Sequence, residues 1–410
     1  MKKIVLMSLV ASSVLMAGGY KIPETSLNAV ALSAANIAHN KSADAAYYNP
    51  ANMVFMEDKN HLEVDLTYIG LDAIDYNGKH TSGATVFNGS LSSEPESFFI
   101  PSIHYVSGKA GETRIGLSIT APGGLSKRWS KEPAKTSAEE FTLQIVEINP
   151  SVAIPINDKV SFAFGFRILH TSGIVKSDGA VGALGGANAF RDMTGDAFSY
   201  GYNLALAYKP TKDLELAATY RSNVSLNVEG DAKLSEGITS TTYDGYTSVS
   251  IPLPATFSLA VAYTLPSKTS IEIVYERNMW SAYQSLDFDY DGTESAMLGN
   301  IFGKAIEKNW KDTNAFRLGI TQELKNMTIM AGMVYDQSPV PEKTIGFELP
   351  DSNSLAISLG GRYQINEQLD VGLSVLYSMR ESRTVKNDNL DGEFSNGNVL
   401  IVSAGVGYKF

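Results

Sequence analysis

The last eleven residues, Leu400-Ile401-Val402-Ser403-Ala404-Gly405-Val406-Gly407-Tyr408-Lys409-Phe410, decide how the rest of the chain is read. In an extended segment successive side chains point to opposite faces. Leu400, Val402, Ala404, Val406, Tyr408 and Phe410 then share one face, and Ser403, Gly405, Gly407 and Lys409 share the other. Ile401 is the exception to a small or polar second face. A strand of this kind separates oil from water.

The same period of two returns along the chain. Leu62, Val64, Leu66 and Tyr68 alternate with Glu63, Asp65 and Thr67. Leu214, Leu216, Ala218 and Tyr220 alternate with Glu215, Ala217, Thr219 and Arg221 and lead into Val224, Leu226 and Val228. Ile271, Ile273 and Tyr275, then Phe316, Leu318 and Ile320, then Leu369, Val371, Leu373, Val375 and Tyr377 repeat it. Apolar faces end repeatedly in Tyr, as an interfacial aromatic girdle requires. Compact links such as Pro210-Thr211-Lys212-Asp213 and Asn366-Glu367-Gln368 alternate with longer polar ones near residues 77–93, 177–196, 232–243 and 291–308. Strands are expected near 60–75, 96–108, 112–121, 138–155, 159–176, 197–209, 213–231, 245–265, 269–288, 309–323, 327–337, 354–365, 369–385 and 393–410. The fold class is therefore all-β, a transmembrane antiparallel β-barrel of about fourteen strands, an even number as bacterial barrels favour. A last strand ending in Phe410 resembles the assembly signal of bacterial outer-membrane proteins. It implies the outer membrane of a Gram-negative bacterium, contact with its lipid, and the barrel assembly machinery as a partner.

Composition removes other classes. A net charge of −11 without a Lys/Arg cluster argues against nucleic acid. With no cysteine there is no thiolate catalysis, disulfide or Cys-ligated metal. His39, His61, His80, His104 and His170 are too scattered to present two imidazoles to one metal. No nucleophile with a positioned base stands out. The expectation is a non-enzyme with no cofactor and no metal, acting as a monomer. Met1-Lys2-Lys3 followed by the apolar run from Ile4 to Met16 reads as a secretory signal, residues 1–17, with cleavage after Ala17 or after Gly19.

Between the signal and the first strand lies a stretch that does not alternate. It runs from Gly18-Gly19-Tyr20 through a small-residue segment, Leu27 to Ala38, to Tyr47-Tyr48-Asn49-Pro50-Ala51-Asn52-Met53. Ser26 or Thr25 suits the cap of a short helix, and Asn49-Pro50-Ala51 is a turn signature. The stretch, taken as residues 18–58, is expected to be a hatch inside a barrel of residues 59–410. Arg221, Arg317, Arg362, Glu215, Glu272 and Glu276, which alternation turns inward, are expected to form a polar lumen network that fixes it.

Gly19-Tyr20, Ala43-Asp44, Asn49-Pro50-Ala51, Tyr220-Arg221-Ser222, Lys311-Asp312, Tyr335-Asp336-Gln337-Ser338-Pro339-Val340-Pro341 and Leu349-Pro350-Asp351 occur in an order that resembles the FadL-type transporters of long-chain fatty acids and aromatic hydrocarbons. The resemblance implies passive uptake of a long-chain fatty acid or another hydrophobic small molecule. It implies capture by external loops, a tighter site near the hatch, and lateral exit at a kinked third strand. Pro122-Gly123-Gly124 interrupts the alternation of Ile115 to Thr120 and reads either as an external turn or as that kink; the resemblance favours the kink. The hatch turn Asn49-Pro50-Ala51 is expected to return to the wall near it.

The resemblance also implies basic residues near the tighter site. The matching positions are Ser177 and Ile306, so Lys176 and Lys308 beside them are the candidate substitutes, each with an ordinary solvated loop lysine as the alternative. Tyr20 stands where the family places a ligand-contacting aromatic at the hatch tip; simple packing is the other reading. The apolar segment Val181 to Phe190, with Leu184 and Phe190, is the candidate outer capture surface. A general porin for small polar solutes is the alternative function, and an adhesin or structural barrel a third. The non-alternating stretch at the start favours the hatched channel, because a porin needs an open lumen.

Overall fold

A computed structural model describes residues 18–82, 85–181, 187–292 and 295–410; the expected signal, residues 1–17, lies outside the described residues. Fourteen antiparallel wall positions close on themselves. They are β1 His61–Leu71, β2 Glu96–Val106, β3 Arg114–Arg128, β4 Glu140–Asn157, β5 Val160–Ala180, β6 Asn188–Tyr208, β7 Leu214–Arg221 continued by Val224–Glu236, and β8 Thr242–Leu253 continued by Thr256–Thr264. The ring continues with β9 Thr269–Asn278, β10 Thr313–Glu323, β11 Met327–Asp336, β12 Ser354–Gln364, β13 Leu369–Arg380 and β14 Val399–Lys409. β14 returns to β1 with His61 opposite Lys409 and Leu71 opposite Val399.

The alternation in the sequence becomes the two faces of this wall. In β14, Leu400, Ala404, Val406 and Tyr408 are exposed, whereas Ile401, Ser403, Gly405 and Gly407 are buried. Ile401, the exception, packs inward with Ile22, Val30, Ile69 and Leu376. Tyr208, Tyr263, Tyr363 and Tyr408 stand exposed at strand ends beside the short turns, where a membrane interface favours amphipathic rings. At the opposite end, Ile74–Ser82, Thr85–Ser92, Arg383–Lys386 and Leu390–Asn396 build a four-stranded sheet across the mouth. Tyr76 and Phe394 of that sheet pack around Phe347, which in turn meets Trp129 at a centroid distance of 5.1 Å.

Three strands depart most from their expected limits. β3 does not stop at 121 but runs to Arg128, β6 starts at Asn188 rather than 197, and β9 leaves the wall after Asn278. Residues Phe288–Tyr290 rejoin it further on, with Phe288 opposite Val249. In the β3 and β6 extensions the order of apolar and polar residues is irregular, while the backbone ladder against β4 and β5 continues.

Residues 18–56 do not join the wall. Helix α1 (Leu27–Leu32), helix α2 (Ala45–Tyr48) and the 3₁₀ turn Pro50–Phe55 lie within the ring. α1 touches β10 to β14, and the 3₁₀ turn touches β3 to β6 on the opposite side. The segment thus crosses the lumen.

Leu373 faces outward in the middle of β13 with 61% exposure. Leu373→Arg should lower the folding free energy in lipid vesicles by about 2–4 kcal/mol, the cost of a cation near a bilayer midplane; a refolding titration in urea measures it.

Candidate functional site

The N-terminal segment holds its own shape through short polar side chains. The Ser26 hydroxyl accepts from the Ala29 amide and caps α1, while donating to Asp44 at 2.7 Å. Asn28 and Asn36 also donate to Asp44. Asn49 caps the 3₁₀ turn by accepting from the Ala51 amide, Pro50 occupies its first turn, and the Asn49 amide reaches back to the Ile37 carbonyl at 2.9 Å. This is proline where a helix start needs no N–H. Ala51 is tied to β5 by the Ser161 hydroxyl at 2.7 Å. The Asn49-Pro50-Ala51 turn therefore sits against β5. The segment that meets Pro122 and Gly123 is Lys21-Ile22, contrary to the expectation from sequence.

Wall residues complete the seat. The Glu272 carboxylate accepts three successive backbone amides, from Ile37 and Ala38 at 2.7 Å and His39 at 2.9 Å. Arg317 donates to the Ser33 carbonyl at 2.9 Å and pairs with Glu24 and Glu276. Arg362 bonds Asn28 at 2.7 Å and pairs with Glu63 and Asp370. Arg221 stacks on the Tyr47 ring and pairs with Glu147, which Arg167 also holds at 2.8 Å. Glu215 pairs with His39. All six residues expected to line a polar lumen network thus touch the segment or its partners. Close approach needs glycine in the wall: a Cβ at Gly332 would lie 2.2 Å from the Leu32 carbonyl carbon, and one at Gly319 2.8 Å from the Ala35 oxygen.

The tip of the segment enters an aromatic cage. Gly18 and Gly19 take φ of +90° and +79°, and a Cβ on Gly19 would strike Trp280 at 2.7 Å. Tyr20 is 2% exposed, donates to the Pro252 carbonyl and meets Trp280 edge-on at 4.8 Å, with Tyr283 and Trp310 beside it. Burial, reinforced by Tyr283, pushes the Tyr20 hydroxyl well above its ordinary pKa, so it stays a neutral donor. Burial likewise lowers the Lys21 ammonium, against the pull of Glu276 at 2.6 Å.

One cavity adjoins this cage and shares lining residues with two others. This small space is lined by Tyr20, Phe141, Leu143, Ile251, Tyr283 and Trp310. Phe141 and Lys308 connect it to an outer vestibule of about 1480 Å³. Phe141, Leu143 and Ile251 connect it to an apolar cavity along β4 to β8.

The candidate residues are distributed unevenly over this space. Tyr20 and Lys308 line it. Lys308 is 4% exposed and bonded to Glu348 at 2.5 Å. Burial would raise the Glu348 carboxyl, but Lys308 outweighs burial and holds it below its ordinary value. Lys176 alternates away from buried Val175 and Ser177, onto the outer face, and pairs with Asp192 at 3.7 Å. Phe190 is likewise exposed on the outer face of β6, opposite buried Arg191. Leu184 lies outside the described residues.

Pro122, Gly123 and Gly124 lie within β3, where its register against β4 shifts between Thr120 and Gly123. β2 and β3 pair only from Ile103 opposite Ile119 to Val106 opposite Gly116, and Glu94 bonds Arg128 further up. Between those points β3 turns to the segment instead: the Ile22 amide donates to the Pro122 carbonyl at 2.9 Å and the Gly124 amide to the Tyr20 carbonyl at 2.8 Å. Ile22 is buried with Ile100 of β2 and Ala121 of β3.

Comparison with known proteins follows the same lines. Residues 8–410 match the family described as outer membrane protein transport protein (OMPP1/FadL/TodX). The chain belongs to this FadL/TodX family. It is an outer-membrane β-barrel protein. A long-chain fatty acid transport protein of Escherichia coli O6:H1 is 25% identical over 371 residues, 81% of this chain and 80% of that one. One from Salmonella typhi is 24% identical over 393 residues, 88% and 87% of the two chains. A Pseudomonas aeruginosa FadL homologue shares the fold at TM-score 0.85, with 20% identity, over 96% of this chain and 100% of its own. The toluene transporter TodX of P. putida does so at 0.71, with 16% identity, over 93% and 98%.

Within this FadL/TodX barrel the sequence reading missed Trp280, Tyr283 and Trp310 of the cage, and Arg191. The three aromatics sit in the long link after β9, where no period exists to place them. Arg191 was legible in principle, because inward alternation counted back from Ser199 through Gly195 and Met193 reaches it.

Removing the Glu272 acceptor should loosen the segment without opening the wall. Glu272→Ala leaves three amides unpaired, at a cost of about 1–3 kcal/mol each where buried. Hydrogen exchange at residues 37–39 should accelerate at least tenfold while the amides of β13 keep wild-type protection.

Proposed function

We propose that the protein takes up long-chain fatty acids or other hydrophobic molecules across the outer membrane by passive diffusion. The ligand is captured at the external vestibule, moves past Phe141 to the cage around Tyr20, and leaves sideways between β2 and β3. In this reading residues 18–58 are the hatch and residues 59–410 the barrel. The protein works as a monomer, inserted through the β14 strand that ends at Phe410. The names of the relatives, fatty acid and toluene transporters, point to the same ligand class.

One observation carries the route. The lumen is crossed by a segment bonded to both sides of the ring, while the wall beside its tip is interrupted between β2 and β3. Straight passage would break buried ion pairs. Sideways passage breaks fewer of them: residues 20–22 release two backbone bonds to Pro122 and Gly124, the Tyr20 bond to Pro252 and the Lys21–Glu276 pair, and withdraw the Ile22 side chain, while residues 24–47 keep theirs. Unpaired backbone at membrane depth is costly unless buried in protein or lining a passage, and here the segment covers it. The mainly apolar walls around the cage suit a greasy solute and offer a sugar few partners.

Replacing Pro122-Gly123-Gly124 by Val-Thr-Val, which restores alternation and donors, should abolish uptake of radiolabelled palmitate by cells. The barrel should still assemble, as judged by heat-modifiable migration. Wild-type uptake in that variant would sink the lateral route. Free swelling of protein-containing liposomes in small sugars would favour the porin instead.

A further inference from the structure

Two residues of the β5–β6 wall have no structural need that accounts for them. Arg191 is 93% buried, the remainder of its 7% exposure. Its guanidinium lies over the rings of Phe288 at 5.3 Å and Phe302 at 5.6 Å and lines the vestibule. Among the described residues no carboxylate pairs with it, and its Nε has no hydrogen-bond partner. Tyr290 hydrogen-bonds with it, a neutral partner that leaves its charge uncompensated, and Glu348 acts on it only from a distance, being bonded to Lys308 at 2.5 Å. Stacking on aromatic faces leaves the N–H edge of a guanidinium free for a planar anion. A buried cation without an anionic partner is costly, which gives such an anion a large gain on binding.

The second residue is Gly173. It lines the apolar cavity together with Leu143, Met193, Val228, Ile251 and Phe288. Gly195 and Gly230 line it too, in register with Gly173 across β5, β6 and β7. Those two are glycine because the strands crowd them: a Cβ would stand 2.6 Å from the Glu229 oxygen or 2.1 Å from the Thr194 oxygen. Gly173 is different. A Cβ there would meet only Thr142 O and Val228 Cγ1, both at 3.8 Å, an ordinary contact. The wall tolerates a side chain at this position, and the effect of having none is to leave the cavity open.

Resting on the uptake reading above, we infer that this pair selects the ligand: Arg191 holds a carboxylate headgroup, and the cavity kept open by Gly173 receives the acyl tail and limits its length. Phe288 lies against Arg191 and also lines the cavity, so the two parts adjoin. At about 3.3 Å per residue the step from Arg191 to Gly195, level with Gly173, is about 13 Å. An extended chain of roughly ten carbons covers it at ordinary bond lengths, so longer tails must use the space beside Gly173.

The test measures uptake of radiolabelled decanoate, palmitate and hexadecane into vesicles carrying the full-length protein. Gly173→Leu should reduce palmitate uptake about tenfold or more and leave decanoate within about twofold of wild type. Arg191→Gln should weaken both acids about tenfold and leave hexadecane unchanged. Heat-modifiable migration confirms that each variant is folded, and Gly173→Ala serves as a milder variant should Leu fail to assemble. Equal loss of both acids in the Gly173 variants, or no loss, overturns the length gauge. Equal loss of acids and hexadecane in Arg191→Gln overturns the headgroup role. Wild-type protein that admits none of the three overturns the uptake reading itself, and this inference with it.

Discussion

A polar group inside a membrane barrel that is not wet must find its partner within the protein. The structure follows from that constraint at each level. Backbone groups of the wall are satisfied only by closing fourteen strands into a ring, β14 against β1. The charged side chains that alternation turns inward then face each other across a lumen, and the N-terminal segment supplies what they lack. Glu272 is the plainest case, since its three partners are backbone amides of residues 37–39. Arg317 is the converse, taking the Ser33 carbonyl and the Glu24 and Glu276 carboxylates together. A buried ion pair adds little net stability over an apolar pair, but losing one partner is expensive. Such a network therefore fixes position more than it adds stability, and it fixes the segment across the ring.

The same constraint explains where the wall can afford an interruption. β3 stops pairing with β2 after Ile119 and shifts its register against β4. Proline 122 has no donor to lose, and the Gly124 amide and the Pro122 carbonyl are taken up by residues 20 and 22. The piece that blocks the lumen is thus also the piece that completes the wall. A movement confined to Tyr20, Lys21 and Ile22 would uncover the interruption while the bonds made by residues 26–52 stay in place. In the proposed route Tyr20, in its cage of Trp280, Tyr283 and Trp310, would couple that movement to whatever occupies the cavity beside it.

Period-two alternation determined the strand number, the inward and outward faces, and the order of short and long links, because the boundary between lipid and protein acts on each residue singly. It even marked Ile401 as an exception, which the structure explains by its contact with Ile22 and Val30. The segment 18–56 was legible as an insertion because it fails to alternate, and Asn49-Pro50 as a turn because proline starts a helix without a donor. Lys308 and Tyr20 were placed near the cavities. Lys176 and Phe190 point the other way, a matter of one residue in register, which a short apolar loop sequence does not specify. Only the tertiary structure decided that Lys308 is already bonded to Glu348, that Arg191 is not bonded to any described carboxylate, and that Lys21-Ile22 rather than Asn49-Pro50-Ala51 meets the interruption in β3. Those facts depend on residues 40 to 111 positions apart in the chain, and no local pattern carries information over that distance. Cavities are the extreme case, since the space beside Gly173 is defined by five strands at once and by the absence of a side chain.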